Sequence, residues 1–86
     1  MPEPENPPMG RLDAFDVGEK KLTIQTEFFP RPSWRFETKV YLAGAVKKVY
    51  TLEISEADGD LQAALNRFHQ AKVDEISAGL QKMKQQ

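Results

Sequence analysis

The hydrophobic pattern of this 86-residue chain changes its period once, and that change limits what the chain can fold into. Apolar and polar residues alternate over residues 20–29, 34–42 and 46–54. Alternation of this kind is the period of a half-buried β-strand. From Leu61 onward apolar residues recur every three or four positions, and no proline interrupts the run up to Lys84. That spacing predicts one amphipathic helix.

These elements predict an α+β fold, a three-stranded antiparallel meander (β-β-β-α) with one long C-terminal helix packed on one face. Pro30 and Pro32 end the first strand, because two prolines so close cannot continue a hydrogen-bonded ladder. Between the second and third strands we expect a three-residue loop, 42–44, with Gly44 in the left-handed conformation. This loop places Phe36 opposite Tyr50, so that apolar side chains meet across the strands.

The segment 55–60 supplies the start of the helix. Ser55, Asp58 and Asp60 are each suited to cap a helix N-terminus. Once the helix lies across the sheet, we expect the core to join two sets of side chains. These are Trp34, Phe36, Tyr50 and Leu52 from the sheet and Leu61, Leu65 and Phe68 from the helix.

The pattern divides the chain into a flexible, Pro-rich and acidic N-terminal segment, residues 1–19, and a single βββα domain, residues 20–86. Pro2, Pro4, Pro7 and Pro8 oppose regular hydrogen bonding in the first ten residues. Apolar residues then alternate with acidic ones over residues 11–19. We interpret this stretch as a loop that lays an apolar residue or two on the domain edge, or as a short linear motif that docks on a partner.

Composition excludes several classes of function. The chain has no cysteine, so disulfides, thiolate metal sites and thiol catalysis are excluded, and a reducing compartment is favoured. No apolar run approaches the roughly 20 residues of a membrane helix, and residues 1–10 lack the apolar region of a secretory signal. We therefore expect a cytoplasmic protein with no membrane partner.

No constellation of residues predicts catalysis. His69 is the only histidine, and Leu65 and Val73, one turn away on the predicted helix, are not ligands. A half-buried or surface histidine is therefore favoured over a metal ligand. The glycines stand apart and form no phosphate-binding loop. We expect a non-enzymatic protein with no catalytic residue, no metal site and no cofactor.

Charge is unevenly placed along the chain, whose formal net charge is −1. Residues 20–50 hold seven basic and two acidic residues, a local net charge of +5. Basic residues interleaved with an aromatic one suit phosphate contact and base stacking. The alternative is a solvated sheet face that keeps the protein soluble. The predicted register collects this basic face on the side of the sheet away from the helix: Lys21, Arg35, Lys39, Tyr41 and Lys47.

The distal part of the helix carries a second apolar stripe at spacings of three, four and three. We call Val73, Ile76, Leu80 and Met83 the helix seam, because such spacing is that of a coiled-coil interface. The sheet also has two open edges. Both features predict a small protein-interaction or adaptor module that forms a homodimer through the distal helix or a sheet edge. A nucleic-acid-binding module that uses the basic face is the alternative hypothesis.

Overall fold

The protein is an antiparallel sheet with one long C-terminal helix, as a computed structural model shows. The structure describes residues 4–84, with the side chains of Met83 and Lys84 left out. The elements in chain order are β1 (Arg11–Val17), β2 (Lys20–Phe29), β3 (Arg35–Leu42), β4 (Ala45–Glu53), a short 3-10 turn (Glu56–Asp58) and α1 (Leu61–Lys84). Each strand pairs with the next in the order β1-β2-β3-β4. The α+β class is confirmed, but the prediction of three strands is wrong.

The additional strand is β1, which occupies the region interpreted as a loop or a linear motif. Gly18 and Glu19 form a two-residue turn that pairs Val17 with Lys20 and continues to Arg11 opposite Thr26. Gly18 has a φ of 64°. Positive φ at the first central position is what a type II′ hairpin turn requires, and glycine adopts it without strain.

The predicted pairing of β3 with β4 is also wrong by two residues. The connecting turn contains only Ala43 and Gly44, whose φ values of 53° and 86° fit a type I′ turn. A β-bulge in β4 follows this turn. Lys47 is its extra residue, because Tyr41 pairs with Val46 and Val40 pairs with Lys48. The shorter turn and the bulge together place Phe36 opposite Leu52 instead of Tyr50. A shift of two residues keeps the same side chains on the same face, so the predicted faces of β3 and distal β4 survive.

The helix packs across β2 and the two strands beside it, and the core forms between these elements. Phe36 and Leu65 are completely buried, as the sequence predicted. Leu52 was expected in the core but is 41% exposed, because β4 lies at the margin that the helix does not cover. The buried apolar side chains are Leu22, Ile24, Trp34, Phe36, Val40, Leu61, Leu65 and Val73.

The predicted helix bounds are confirmed, and of the three candidate caps Asp60 lies at the start of α1, whereas Ser55 and Asp58 cap the preceding 3-10 turn. The Ser55 hydroxyl accepts a hydrogen bond from Ala57 N–H (3.3 Å), and Ser55 N–H donates to Asp58 Oδ2 (2.6 Å), which together form a capping box on the 3-10 turn. Asp60 Oδ1 accepts from Ala63 N–H (3.2 Å) at the start of α1. The helix then runs from Leu61 to Lys84, the interval that the sequence predicted.

Candidate functional site

β4, at the outer edge of the sheet, is the most exposed of the four strands. Every residue of β4 except Tyr50 is exposed. Val46 is 52%, Val49 48% and Leu52 41% exposed. Val46 and Val49 lie on the outer face of the sheet and Leu52 on the helix side, so this edge strand exposes apolar side chains on both faces. An exposed edge strand that carries apolar side chains is a template for pairing with another chain.

The backbone of β4 offers unpaired hydrogen-bonding groups on this edge. Ile54 N–H donates to the Trp34 carbonyl at 3.1 Å, so its amide points toward β3. Amides along an antiparallel strand alternate in direction. The N–H and C=O groups of Val49, Thr51 and Glu53 therefore point away from the sheet. We call this strip of backbone, with its side chains, the β4 edge.

Charge is polarised along β4. Lys47 and Lys48 lie at its bulged end and Glu53 at the other. Between them, residues 49–52 carry no charge and consist of two β-branched, one aromatic and one aliphatic side chain. Lys48 Nζ lies 5.1 Å from the centre of the Tyr50 ring, and Lys72 Nζ of the helix lies 4.6 Å from it. Tyr50 is thus held between two cations on the helix side of the sheet.

The helix seam is divided between the core and the surface. Val73 is 8% exposed and belongs to the same buried cluster as Leu22 and Ile24, and Ile76 packs against that cluster. Leu80 is half-buried. The side chain of Met83 lies outside the described residues. The first half of the seam therefore already stabilises the monomer.

The members of the basic face are spread over the outer surface of the sheet. Lys39 and Tyr41 lie on β3 and are half-buried, and Lys21 lies on β2 opposite Asp16. Lys47 is displaced by the bulge, so that Val46 takes the place opposite Tyr41. Because of this bulge the surface near Tyr41 is more apolar than the sequence pattern indicated.

Arg35 already forms hydrogen bonds and a ring contact with residues of its own chain. Its Nε donates to Glu37 Oε2 at 2.7 Å, its Nη1 donates to the Arg31 carbonyl, and its guanidinium lies 4.9 Å from the centre of the Phe29 ring. The carboxylate at 2.7 Å neutralises most of the field that a phosphate would meet there. Nucleic-acid binding by the basic face stays a prediction.

A chain of four polar side chains, which the sequence pattern did not predict, crosses the core. His69 is completely buried on α1 and uses both ring nitrogens. Nε2 lies 2.6 Å from Asp13 Oδ2 on β1, and Nδ1 lies 2.7 Å from Thr26 Oγ1 on β2. Thr26 Oγ1 in turn lies 2.7 Å from Thr38 Oγ1 on β3. We call Asp13, His69, Thr26 and Thr38 the buried polar chain.

The order acid, imidazole, hydroxyl is that of a nucleophilic triad, but the location differs. Thr26 and Thr38 are completely buried under the helix, so that no substrate reaches either hydroxyl. Among residues 4–84, every buried side-chain nitrogen and oxygen atom has a partner. The arrangement therefore ties the helix to three strands and is structural. The sequence around His69 does not indicate this arrangement, since the two hydrogen-bond partners of His69 lie 56 and 43 positions away in the sequence.

Comparisons of this chain with protein-family models, curated proteins and solved structures found no match. Within residues 4–84, no helix is long and apolar enough to cross a membrane.

Proposed function

We propose that this protein is a non-enzymatic homotypic interaction module that pairs its β4 edge with the β4 edge of a second copy. The observation that carries the proposal is the uncharged stretch 49–52, which is exposed except at Tyr50 and has open backbone hydrogen-bonding groups beside it. Pairing would satisfy those groups and cover Val49, which is 48% exposed. Two four-stranded sheets would become one continuous sheet of eight strands.

The opposite edge, β1, is less suited to pairing. Its Asp13 points toward the helix side and is held by His69, and Asp16 adds a second negative charge. Inward-pointing charges and short charged edge strands are devices that natural sheets use against edge pairing. β4 has such devices as well, in its bulge and in Lys47, Lys48 and Glu53, but they leave residues 49–52 uncharged and regularly paired with β3.

The charges at the ends of β4 favour one orientation. Antiparallel pairing brings the start of one β4 strand against the end of the other, so each basic end meets an acidic end. With the two-fold axis at Tyr50, Val49 pairs with Thr51, and Glu53 of each copy lies across from Lys47 of the other. Opposite charges directly across two strands stabilise pairing by roughly 0.2–1 kcal/mol each.

The helix seam is the competing surface for the same function. It is less favoured because Val73 and Ile76 are already used in the monomer core. Removing them from the core to contact a second copy would expose the cluster that contains Leu22 and Ile24. A dimer through the helix would have to rely on Leu80 and the last turns of α1.

Single substitutions in the full chain distinguish the β4 edge from the helix seam as the dimer interface. Val49→Lys places a charge next to the proposed two-fold axis, and we expect light scattering to report a monomer where the wild type forms a dimer. Leu12→Lys is the matched control, because Leu12 is 61% exposed on the outer face of the other edge. It should leave the dimer intact.

Leu80→Glu tests the helix seam in the same assay. We expect this variant to remain a dimer, with circular dichroism unchanged. A Leu80→Glu monomer beside a Val49→Lys dimer would assign the interface to the helix and reject the β4 edge. A monomeric wild type over a concentration series up to the millimolar range would reject self-association altogether.

A further inference from the structure

The segment that precedes β1 is fastened to the start of the helix by one side chain. Gln62 Oε1 accepts a hydrogen bond from Met9 N–H (2.8 Å), and Gln62 Nε2 donates to the Met9 carbonyl (3.1 Å). A carboxamide that bonds both backbone groups of one residue copies the pairing of a neighbouring strand. The amide therefore binds extended backbone whatever the side chain at that position.

The residue after Met9 allows the chain to lie this close to the sheet. A Cβ atom built on Gly10 would lie 2.8 Å from the Thr26 carbonyl oxygen, closer than real Cβ contacts come to backbone. Only glycine fits there without a shift of the backbone. Gly10 and the hydrogen bonds of Gln62 to Met9 thus fix where residues 4–9 leave the sheet.

Residues 4–9 share an open cleft with an aromatic side chain. Pro4 and Pro7 line the cleft together with Trp34 and with Leu61 at the start of α1. Prolines beside a tryptophan, in a segment outside helix and sheet whose backbone bonds a side-chain amide, are components of polyproline recognition. Here the proline segment and its receptor belong to the same chain. We call this site the proline cleft.

The charge of the segment does not match the charge of the cleft. Glu56 and Asp60 line the wall, whereas the segment lines the cleft with the uncharged residues Pro4, Asn6 and Pro7. The first ten residues contain no lysine, arginine or histidine. The segment thus offers no opposite charge to this acidic wall, so it binds less tightly than a basic occupant of the same shape.

From these observations we propose that the proline cleft is a docking site for extended, proline-rich peptides that carry lysine or arginine. Residues 4–9 are its weak occupant within the same chain. A basic partner places an attractive charge beside Glu56 and Asp60, which the segment does not do, and displaces the segment. This surface is independent of the β4 edge, so either can fail without the other.

Trp34 provides a specific probe, because it is the only tryptophan in the chain. We would titrate the full-length protein with a synthetic proline-rich peptide that contains arginine and follow tryptophan fluorescence. A matched peptide with glutamate in place of each arginine is the control for charge. We expect saturable binding of the basic peptide, at least tenfold weaker binding of the acidic one, and weakening by salt.

Met9→Pro tests the role of the chain's own segment. Proline lacks the N–H that Gln62 accepts from, so the segment should be released and the basic peptide should bind several-fold more tightly. Met9→Leu keeps the N–H and should behave as the wild type. Equal affinity for the two peptides, or no fluorescence change up to millimolar peptide, would overturn the docking site. An unchanged affinity in Met9→Pro would overturn competition by residues 4–9.

Discussion

At the scale of single residues, the buried polar chain has only one set of hydrogen-bond directions when the imidazole is neutral. The Asp13 carboxylate accepts from His69 Nε2–H, so Nδ1 is left as an acceptor. The Thr26 hydroxyl must then donate to Nδ1 and accept from the Thr38 hydroxyl. Thr26 is the link on which both neighbours depend, whereas Thr38 is a terminal donor.

This asymmetry predicts unequal effects of two isosteric substitutions. Thr26→Val leaves Nδ1 of His69 buried without a donor and should lower the free energy of unfolding by about 1–3 kcal/mol. Thr38→Val leaves Thr26 still bonded to His69 and should cost less. Chemical denaturation of both variants measures the difference.

Thr26→Ser is the control, because it keeps the hydroxyl and removes only a methyl group. It should retain more stability than Thr26→Val. A larger loss in Thr38→Val than in Thr26→Val would contradict the hydrogen-bond directions assigned to the buried polar chain.

The turn between β3 and β4 contains a residue in an unfavourable backbone conformation. Ala43 has a φ of 53°, where a Cβ atom costs roughly 1–2 kcal/mol. Asparagine tolerates this region, and Asn-Gly is the preferred type I′ pair. We expect Ala43→Asn to raise the melting temperature by a few degrees, since about 1 kcal/mol shifts a domain of this size by roughly 4–8 °C.

Calorimetry provides the measurement for this turn. Ala45→Asn is the control, because Ala45 already belongs to β4 and a strand disfavours asparagine. It should not raise the melting temperature. Destabilisation by Ala43→Asn would contradict the type I′ turn.

At the scale of elements, β1 depends on a contact with the helix that no local pattern encodes. Asp13 is its polar residue on the core side, and His69 is the partner. Asp13→Ala should therefore loosen β1 more than the rest of the sheet. We expect faster hydrogen exchange at the amides of residues 11–17, with β2 and β3 still protected. Uniform loss of protection in all strands would contradict this local role.

The elements that could be predicted are those whose periodicity is unbroken. Strands β2, β3 and β4 and the helix could be predicted because apolar residues keep a period of two or of three to four. β1 was missed because its core side includes Asp13, which is acceptable there only beside His69. The register of β4 was missed because a bulge at Lys47 leaves no mark in the alternation of the residues around it.

The sequence predicted self-association, but it did not predict which surface mediates it. Two open sheet edges predicted self-association, but the sequence could not rank them, since β1 had not been recognised as an edge. Nor could it show that Val73 of the helix seam is buried in the monomer. The burial of Val73 depends on where the long helix crosses the sheet. Contacts such as that of His69 with Thr26 determine this position.

At the scale of the whole molecule, β4 pairing would produce an open eight-stranded sheet with both helices on one face. The helices pack chiefly on β2, so five strand spacings would separate them, roughly 24 Å at about 4.8 Å each. A helix with its side chains is about 10 Å across. The paired β4 strands would form the floor between the helices, lined by Tyr50 and Leu52 of each copy.

The central claim is antiparallel pairing of two β4 edges, and a charge exchange tests it most directly. Glu53→Lys makes both ends of β4 basic, and the double variant Lys47→Glu, Lys48→Glu makes both ends acidic. Neither protein alone should form a dimer, because like charges then meet at both ends of the paired strands. Sedimentation of an equimolar mixture should show a dimer that contains one copy of each. Two variants that each dimerise as well as the wild type, or a mixture that stays monomeric, would contradict the pairing of β4 edges.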